Sequence, residues 1–191
     1  METTRNELPI KLNRFLKKLG NYLDTPLYYY GSIQRKDYVA GQSDIDVAIF
    51  SDNENSVIAK MCNYLRVKRK DFKSFIKKTT TSIVYGYKIK YITNTNESNP
   101  FESNPIESNP IECELSVFNI TFKPVLMDHY NKTINAPIFI LFLLYILKQI
   151  YYVFPIISKD TYRQIKYYIF DVLYLKIEGE SFFILEPPNQ L

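Results

Sequence analysis

The sequence predicts an α/β (α+β) fold in which a mixed sheet is flanked by helices, with further helices at the carboxyl end. Apolar side chains recur at helical spacing from Glu7 to Leu23 and again beyond Pro124. The segments between these helices alternate apolar with polar side chains, as half-buried strands do. Because the chain has 191 residues, one compact unit with a full hydrophobic core is expected.

The amino-terminal part is predicted to contain two helices separated by two strands. Residues 7–23 place leucines on one helical face and lysines on the other, which predicts a surface helix. A short aromatic strand is expected over 27–30, and the β-branched residues of 45–50 predict a second strand. Polar residues with capping side chains then precede a long helical pattern over 57–78.

The next part is predicted to form a long hairpin. Residues 83–92 and 111–118 both alternate apolar with polar side chains. The intervening stretch, 94–110, repeats Glu-Ser-Asn-Pro, and because a residue before proline avoids the helical region, it is expected to be an extended surface loop. We therefore expect residues 1–125 to form the core and residues 126–191 to form a helical region packed on it.

The apolar run from Pro137 to Phe154 tests whether the chain is soluble. A bilayer span needs about 20 apolar residues, and Lys148 interrupts this run before that length is reached, so a buried helix is expected. A membrane-associated protein anchored by this run is the alternative. The cysteines Cys62 and Cys113 lack metal-site spacing and the chain starts without a signal-peptide pattern, so a cytoplasmic location is expected.

Two short motifs carry the predicted chemistry. Gly31 follows the first strand and lets backbone amides approach a phosphate closely, and Ser32 adds a hydroxyl donor. Asp44 and Asp46 lie two residues apart at the start of the second strand, so their carboxylates point to one face. An isolated pair of this kind often only caps a strand. The Gly-Ser turn after the preceding apolar strand favours a metal site instead.

The strand, Gly-Ser turn, spacer and Asp-x-Asp resemble the signature of the DNA polymerase β-like nucleotidyltransferase superfamily, in element order from about residue 8 to residue 117. The resemblance implies an enzyme that uses two Mg²⁺ or Mn²⁺ ions to move a nucleoside monophosphate from a nucleoside triphosphate, ATP being the expected donor, to an acceptor hydroxyl. It also implies contacts to the nucleotide phosphates from Gly31, Ser32, Arg35 and Ser43.

The resemblance further implies a third carboxylate on a later strand. Glu114, on the strand predicted over 111–118, stands at the matching place and is expected to ligate metal and act as general base. Glu112 points to the same face and is the rival. The family more often carries aspartate here, so a glutamate requires the backbone to lie slightly farther from the metal.

A basic segment suggests an RNA acceptor. Residues 66–78 contain seven lysines and arginines on the predicted helix, and Lys68, Arg69, Lys70 and Lys73 could follow RNA phosphates. A solvated helix face explains the same charges equally well. The net charge of +4 permits an anionic partner without requiring one.

Three functions are therefore considered. The first is an RNA-tailing transferase similar to poly(A) polymerases, and the second is a small transferase that modifies a protein or a small molecule. The third is a binding subunit that keeps the fold without catalysis, which the intact Asp44 and Asp46 disfavour. His129 is the single histidine and is expected to be structural rather than a metal ligand. The oligomeric state does not follow from the sequence.

Overall fold

The computed structural model describes residues 2–92, 112–154 and 156–185, so the predicted loop at 94–110 lies outside the described residues. The helices are α1 (Ile10–Leu23), α2 (Glu54–Leu65), α3 (Lys123–Ile134), α4 (Ile138–Tyr152) and α5 (Lys159–Tyr167), and the last continues as a π-helical segment, Tyr168–Tyr174. The strands are β1 (Leu27–Tyr30), β2 (Ile45–Ser51), β3 (Lys73–Lys78), β4 (Ile83–Ile92), β5 (Glu112–Asn119) and β6 (Phe182–Leu185).

The six strands form one mixed sheet in the order β1-β2-β5-β4-β3-β6. Strands β2 and β5 run parallel, and every other neighbouring pair is antiparallel. The predicted mixed sheet and the predicted hairpin of β4 with β5 are thus confirmed. The parallel pairing brings the start of β2, which carries Asp46 and directly follows Asp44, beside the start of β5.

Helices cover both faces of the sheet. On one face, α1 and α2 pack leucines and Met61 against β2 and β5, and Leu16, Ile49 and Leu115 are fully buried there. On the other face, α3 packs Leu126 against aromatic residues of the strands. Because α3 covers only part of that face, the carboxylates at the start of β2 and β5 stay reachable from the C-terminal segments.

The predicted helix over 57–78 is wrong beyond Leu65. Arg66 has a left-handed backbone (φ 56°) and ends α2, and the chain then continues as the strand β3. The apolar spacing of this basic segment fits a helix, but it also fits a strand that buries Phe75 (3% exposed) against the sheet. Pairing with β4 on one side and β6 on the other decides between them.

The C-terminal region contains the predicted helices and one strand that was not predicted. Ser158 caps α5, since its Oγ accepts a hydrogen bond from the Thr161 amide at 3.1 Å. Strand β6 then returns to the sheet and pairs with β3. The region after residue 125 is therefore tied to the core through the sheet as well as through helix packing.

Helix α4 is apolar around most of its circumference. It buries Ile140, Leu144 and Leu147, whereas its outer face leaves Ile138, Phe139, Phe142, Leu143, Tyr145 and Ile146 exposed. No single helix in the described ranges is long and apolar enough to cross a membrane. Residues 120–134 and α4, which meet at an 80° bend, reach that length and composition only as a pair.

Candidate active site

The sheet brings two of the three predicted carboxylates face to face. Asp46 of β2 lies in register with Glu114 of β5, and on its other side it pairs with Tyr30 of β1. Residues paired in register on neighbouring strands project to the same face. Asp44 precedes β2 and is exposed. The rival carboxylate, Glu112, pairs across the sheet with Ile92 instead.

Lysines of β4 neutralise the two glutamates. The Lys88 ammonium donates to Glu114 Oε2 at 3.1 Å, and Lys90 forms an ion pair with Glu112. Asp46 has no such partner within the described residues. Its burial, and then the charge of Glu114, raise the pKa of the Asp46 carboxyl to about 7. Negative charge at Asp46 is therefore poorly compensated by the protein alone.

The backbone conformation and the surroundings of position 31 require a glycine. Its φ of +73° lies in the left-handed region, and a β-carbon there would lie 2.1 Å from Asp46 Oδ2. The residues after it form a short 3₁₀ turn, Gly31–Gln34, in which the Ser32 side chain is buried. The turn and the second aspartate are thus packed directly against each other.

Arg35 and Ser43 lie in a buried polar network below this turn. The Arg35 guanidinium donates to Asp37 at 2.7 Å, and the Lys148 ammonium of α4 lies 3.2 Å from the same carboxylate. Lys148 also donates to Ser43 Oγ at 3.1 Å. The network joins α4 to the loop that carries Asp44, which is a supporting role. The predicted contact of Arg35 and Ser43 with a phosphate stays a prediction.

Asp37→Asn is expected to lower the free energy of unfolding by about 3–5 kcal/mol at pH 7, because it leaves two buried cations without their anion. Burial alone raises the pKa of Asp37, but hydrogen bonds and charges from Arg35 and Lys148 outweigh burial and lower it. Its stabilising effect is therefore complete above pH 4 and disappears as pH falls through the depressed pKa. Urea denaturation from pH 7 to pH 3 measures this.

A matched control for Asp37→Asn is Asp128→Asn. Asp128 pairs with Lys132 at 2.8 Å, but both side chains are about half exposed, so a change within about 0.5 kcal/mol is expected. Equal effects of the two substitutions would show that the buried network does not stabilise the fold.

Three cavities meet at the carboxylates. The first, the open cleft, has a volume of about 1180 Å³ and is bordered by Asp44, Asp46, Glu114, Lys73, Lys88 and Lys90. The second, the histidine pocket, has about 400 Å³ and is bordered by Gly31, Asp46, Lys77, His129, Tyr130 and Asp171. The third, the tyrosine cavity, has about 270 Å³ and is bordered by Asp44, Glu112, Tyr151, Tyr152, Lys159 and Tyr162. Arg163 and Lys166 of α5 border all three.

The predicted RNA-contacting residues divide into two groups. Lys73 begins β3 and borders the open cleft. Arg69 donates to Asn55 at 3.1 Å and covers the Tyr87 ring at 4.6 Å, and it lies with Lys68 and Lys70 in or beside an exposed turn. Only Lys73 is brought to the carboxylates, and the RNA contacts of all four stay predictions.

The histidine pocket brings together residues for which the sequence patterns predicted no part in the site. His129 Nδ1 and the Tyr130 hydroxyl are buried and lack a hydrogen-bond partner in the described part of the chain. Burial, followed by the charges of Lys77 and Lys132, lowers the pKa of His129 to about 3, so its imidazole is neutral. These residues come from β3 and α3, and no local motif links the two elements.

The sequence model of the nucleotidyltransferase domain family matches residues 10–123, more than half of the chain. The protein belongs to this family. The solved structure of the Cid1 poly(U) polymerase is similar over 74% of this chain and 40% of that chain, with a TM-score of 0.39 and 10% identity. This chain thus spans less than half the length of that protein. No curated protein matches this chain.

Proposed function

We propose that the protein is a metal-dependent enzyme that transfers a nucleoside monophosphate from a nucleoside triphosphate to the 3′ hydroxyl of RNA. ATP is the expected donor. The observation that carries the proposal is the in-register pair of Asp46 and Glu114, with Gly31 packed against Asp46. This arrangement supports a site in which phosphate-binding amides and metal-binding carboxylates lie side by side.

The carboxylate oxygens are chemically suited to bind a hard divalent cation. Magnesium prefers oxygen ligands, and the raised pKa of Asp46 indicates that its negative charge is disfavoured unless a cation compensates it. Within the described ranges, no three acidic, histidine or cysteine side chains converge closely enough to hold an ion. Because Glu114 is paired with Lys88, its carboxylate would have to leave this lysine in order to bind a metal. Asp44, Asp46 and Glu114 would hold two ions. When bound, these ions lower the pKa of the acceptor hydroxyl and neutralise the leaving phosphates.

Arg163 and Lys166 are suited to the triphosphate. Both are exposed on α5 and border every cavity at the carboxylates. Arg163 makes only an exposed contact of 3.7 Å with Asp160, and Lys166 donates no hydrogen bond within the described residues. These two exposed cations beside the Gly31 turn would balance the charge of the β- and γ-phosphates.

The donor nucleoside is assigned to the histidine pocket. The pocket adjoins Gly31 and Asp46, it has aromatic walls, and its volume of about 400 Å³ lies in the usual range for small-ligand sites. A nucleoside would supply hydrogen-bond partners for His129 Nδ1 and for the Tyr130 hydroxyl, whose lack of partners otherwise costs free energy.

In the proposed step, the acceptor oxygen attacks the α-phosphorus while the bond from that phosphorus to the bridging oxygen of the β-phosphate breaks. The acceptor hydroxyl transfers its proton to Glu114, and pyrophosphate leaves with the electron pair of the broken bond. Asp44 and Asp46 would hold the metal ions during this step. The Gly31 turn and Arg163 hold the phosphates in position.

Tyr130→Phe is expected to weaken ATP binding by about two- to tenfold, which corresponds to one hydrogen bond. The same change should leave the unliganded protein equally stable or more stable, because the hydroxyl it removes has no partner there. Binding of a fluorescent ATP analogue and urea denaturation measure the two effects.

Tyr145→Phe is the matched control, since Tyr145 is 44% exposed on α4 and lies away from the pocket. It should change neither measurement. A loss of stability in Tyr130→Phe would contradict the assignment, because it would mean that the hydroxyl is already bonded in the free protein.

The proposed function is tested by incubating the protein with Mg²⁺ or Mn²⁺, each labelled nucleoside triphosphate in turn and a short single-stranded RNA. Extension of the RNA by the wild type, but not by the Asp44→Ala/Asp46→Ala variant, supports an RNA-tailing enzyme and identifies its nucleotide. Labelling of another acceptor by the wild type alone would contradict the RNA assignment while keeping the reaction. Failure to transfer to any acceptor would contradict the proposed reaction.

A further inference from the structure

The tyrosine cavity and the histidine pocket border different aspartates. Asp44 borders the tyrosine cavity and the open cleft, whereas Asp46 borders the open cleft and the histidine pocket. Gly31, the predicted phosphate-binding residue, borders only the histidine pocket among the three. The two cavities therefore meet the site at different carboxylates.

In-line phosphoryl transfer restricts where the acceptor can lie. The attacking and leaving oxygens lie on opposite sides of the phosphorus, so the acceptor must approach from the side away from the leaving pyrophosphate. With the phosphates at the Gly31 turn, the acceptor end needs a cavity that borders a carboxylate but not Gly31. The tyrosine cavity borders Asp44 and does not border Gly31.

The walls of the cavity have the chemistry of a single-stranded nucleic-acid site. Tyr151 and Tyr152 at the end of α4 are half-buried, and Tyr151 stacks on Tyr162 with ring centroids 4.5 Å apart. Lys159 lies at the rim and, like Lys166, donates no hydrogen bond and forms no ion pair in the described part of the chain. Aromatic faces beside free cations bind stacked bases and the phosphates between them.

Lys159, Arg163 and Lys166 form a stripe along one face of α5. Their spacing of four and then three residues places them in line on the helix. The stripe leads from the rim of the tyrosine cavity towards the carboxylates, since Lys159 borders only this cavity of the three and the other two border all of them. Lys159 therefore extends the pair of cations proposed for the triphosphate to the rim of the tyrosine cavity, where it can meet a backbone phosphate of the acceptor.

We propose that the tyrosine cavity binds the 3′-terminal nucleotide of a single-stranded RNA acceptor, with the base against Tyr151 and Tyr152 and a backbone phosphate at Lys159. The proposal rests on the proposed function, because it places the acceptor relative to the donor. It moves the main acceptor contact from the basic segment at 66–78 to the junction of α4 and α5.

Lys159→Gln tests the proposal through RNA binding without nucleotide, measured by fluorescence anisotropy over a series of salt concentrations. The expected result is a several-fold weaker affinity and a salt slope smaller by about 0.7, the loss of one phosphate contact to a single strand. Lys18→Gln is the matched control, since Lys18 is an exposed lysine on α1 at the opposite face of the sheet. Lys18→Gln and the wild type should behave alike, and all three should bind the fluorescent ATP analogue equally.

A second measurement locates the RNA end. An oligonucleotide with 3′-terminal 4-thiouridine is expected to cross-link, on irradiation, to the peptide that spans residues 149–163. Cross-links confined to residues 66–78, or an affinity of Lys159→Gln equal to that of Lys18→Gln, would overturn the proposal. Absence of RNA binding by the wild type would overturn it too.

The two proposals fail in different ways. If Lys159-dependent RNA binding is present but no nucleotide is transferred, the acceptor site is supported and the proposed reaction is contradicted. If transfer to a protein or small molecule occurs without RNA binding, the reaction class is supported and the acceptor site is overturned.

Discussion

Asp46→Asn is expected to reduce nucleotidyl transfer by about a thousandfold or more and, at the same time, to stabilise the folded protein at pH 8. Loss of one group that stabilises transition-state charge costs on the order of 10²–10³ in rate, and Asp46 is proposed to hold both metal ions. The asparagine keeps the shape of the side chain next to Gly31, so the loss reports on charge.

The stability effect follows from the raised pKa of Asp46. Burial and the charge of Glu114 raise this pKa from 3.8 to about 7, so the folded state holds a proton that the unfolded state has released between those two values. Stability of the wild type therefore falls as pH rises through that window, and the cost remains at pH 8. Asparagine removes this cost, so its advantage should be present at pH 8 and vanish below about pH 4.

Thermal denaturation in EDTA at pH 8 and pH 4 measures the advantage, at about 2–4 °C for each kcal/mol. Asp52→Asn, at an exposed aspartate just after β2, is the control and should change neither activity nor stability. Added Mg²⁺ should raise the melting temperature of the wild type but not of Asp46→Asn. Destabilisation of Asp46→Asn at pH 8 would show that the protein already compensates this charge.

Gly31→Ala is expected to impair both folding and catalysis. The new β-carbon would lie 2.1 Å from Asp46 Oδ2, so either the carboxylate or the turn must move. The substitution also places a side chain at φ +73°, which costs about 1–2 kcal/mol. Because displacement of a reacting group by about 1 Å reduces rates by about a hundredfold, transfer should fall by at least that factor.

Gly179→Ala separates the two effects. Gly179 has a similar φ of +68°, but a β-carbon there meets only the Lys78 ammonium, at 3.7 Å. The Gly179→Ala variant should be destabilised by the strained backbone conformation but should retain transfer activity. Melting temperatures and transfer rates of both variants are compared at one pH. Equal activity of Gly31→Ala and Gly179→Ala would contradict the close contact between the turn and Asp46.

The site features that the sequence could predict are those whose residues lie close together in the chain. Asp44 and Asp46 lie two residues apart, and Gly31 follows a strand, so their neighbourhood is local and a motif records it. Glu114 is distant in sequence, and it was expected only because the family resemblance implies a third carboxylate on a later strand, with Glu112 as the rival on the same face. The register of β2 with β5 then places Glu114, not Glu112, opposite Asp46.

The basic segment and the last strand show where local patterns fail. Phe72, Phe75 and Ile76 fit helical spacing, yet Phe75 belongs to a strand because two neighbouring strands offer it hydrogen bonds. Strand β6 has four exposed residues and no alternation, so its sequence carries little signal. Strand pairing is a property of the partner as much as of the segment.

The sequence by itself determined the mixed fold, the helices at both ends of the chain, the Gly-Ser turn and the acidic pair, because hydrophobic period and short motifs depend on near neighbours. Only the tertiary structure decided that Arg35 supports the loop through Asp37, that Arg163 and Lys166 face the carboxylates, and that His129 borders a pocket. Those contacts join elements far apart in the chain, and their partners are chosen by packing across the sheet, which no local pattern records.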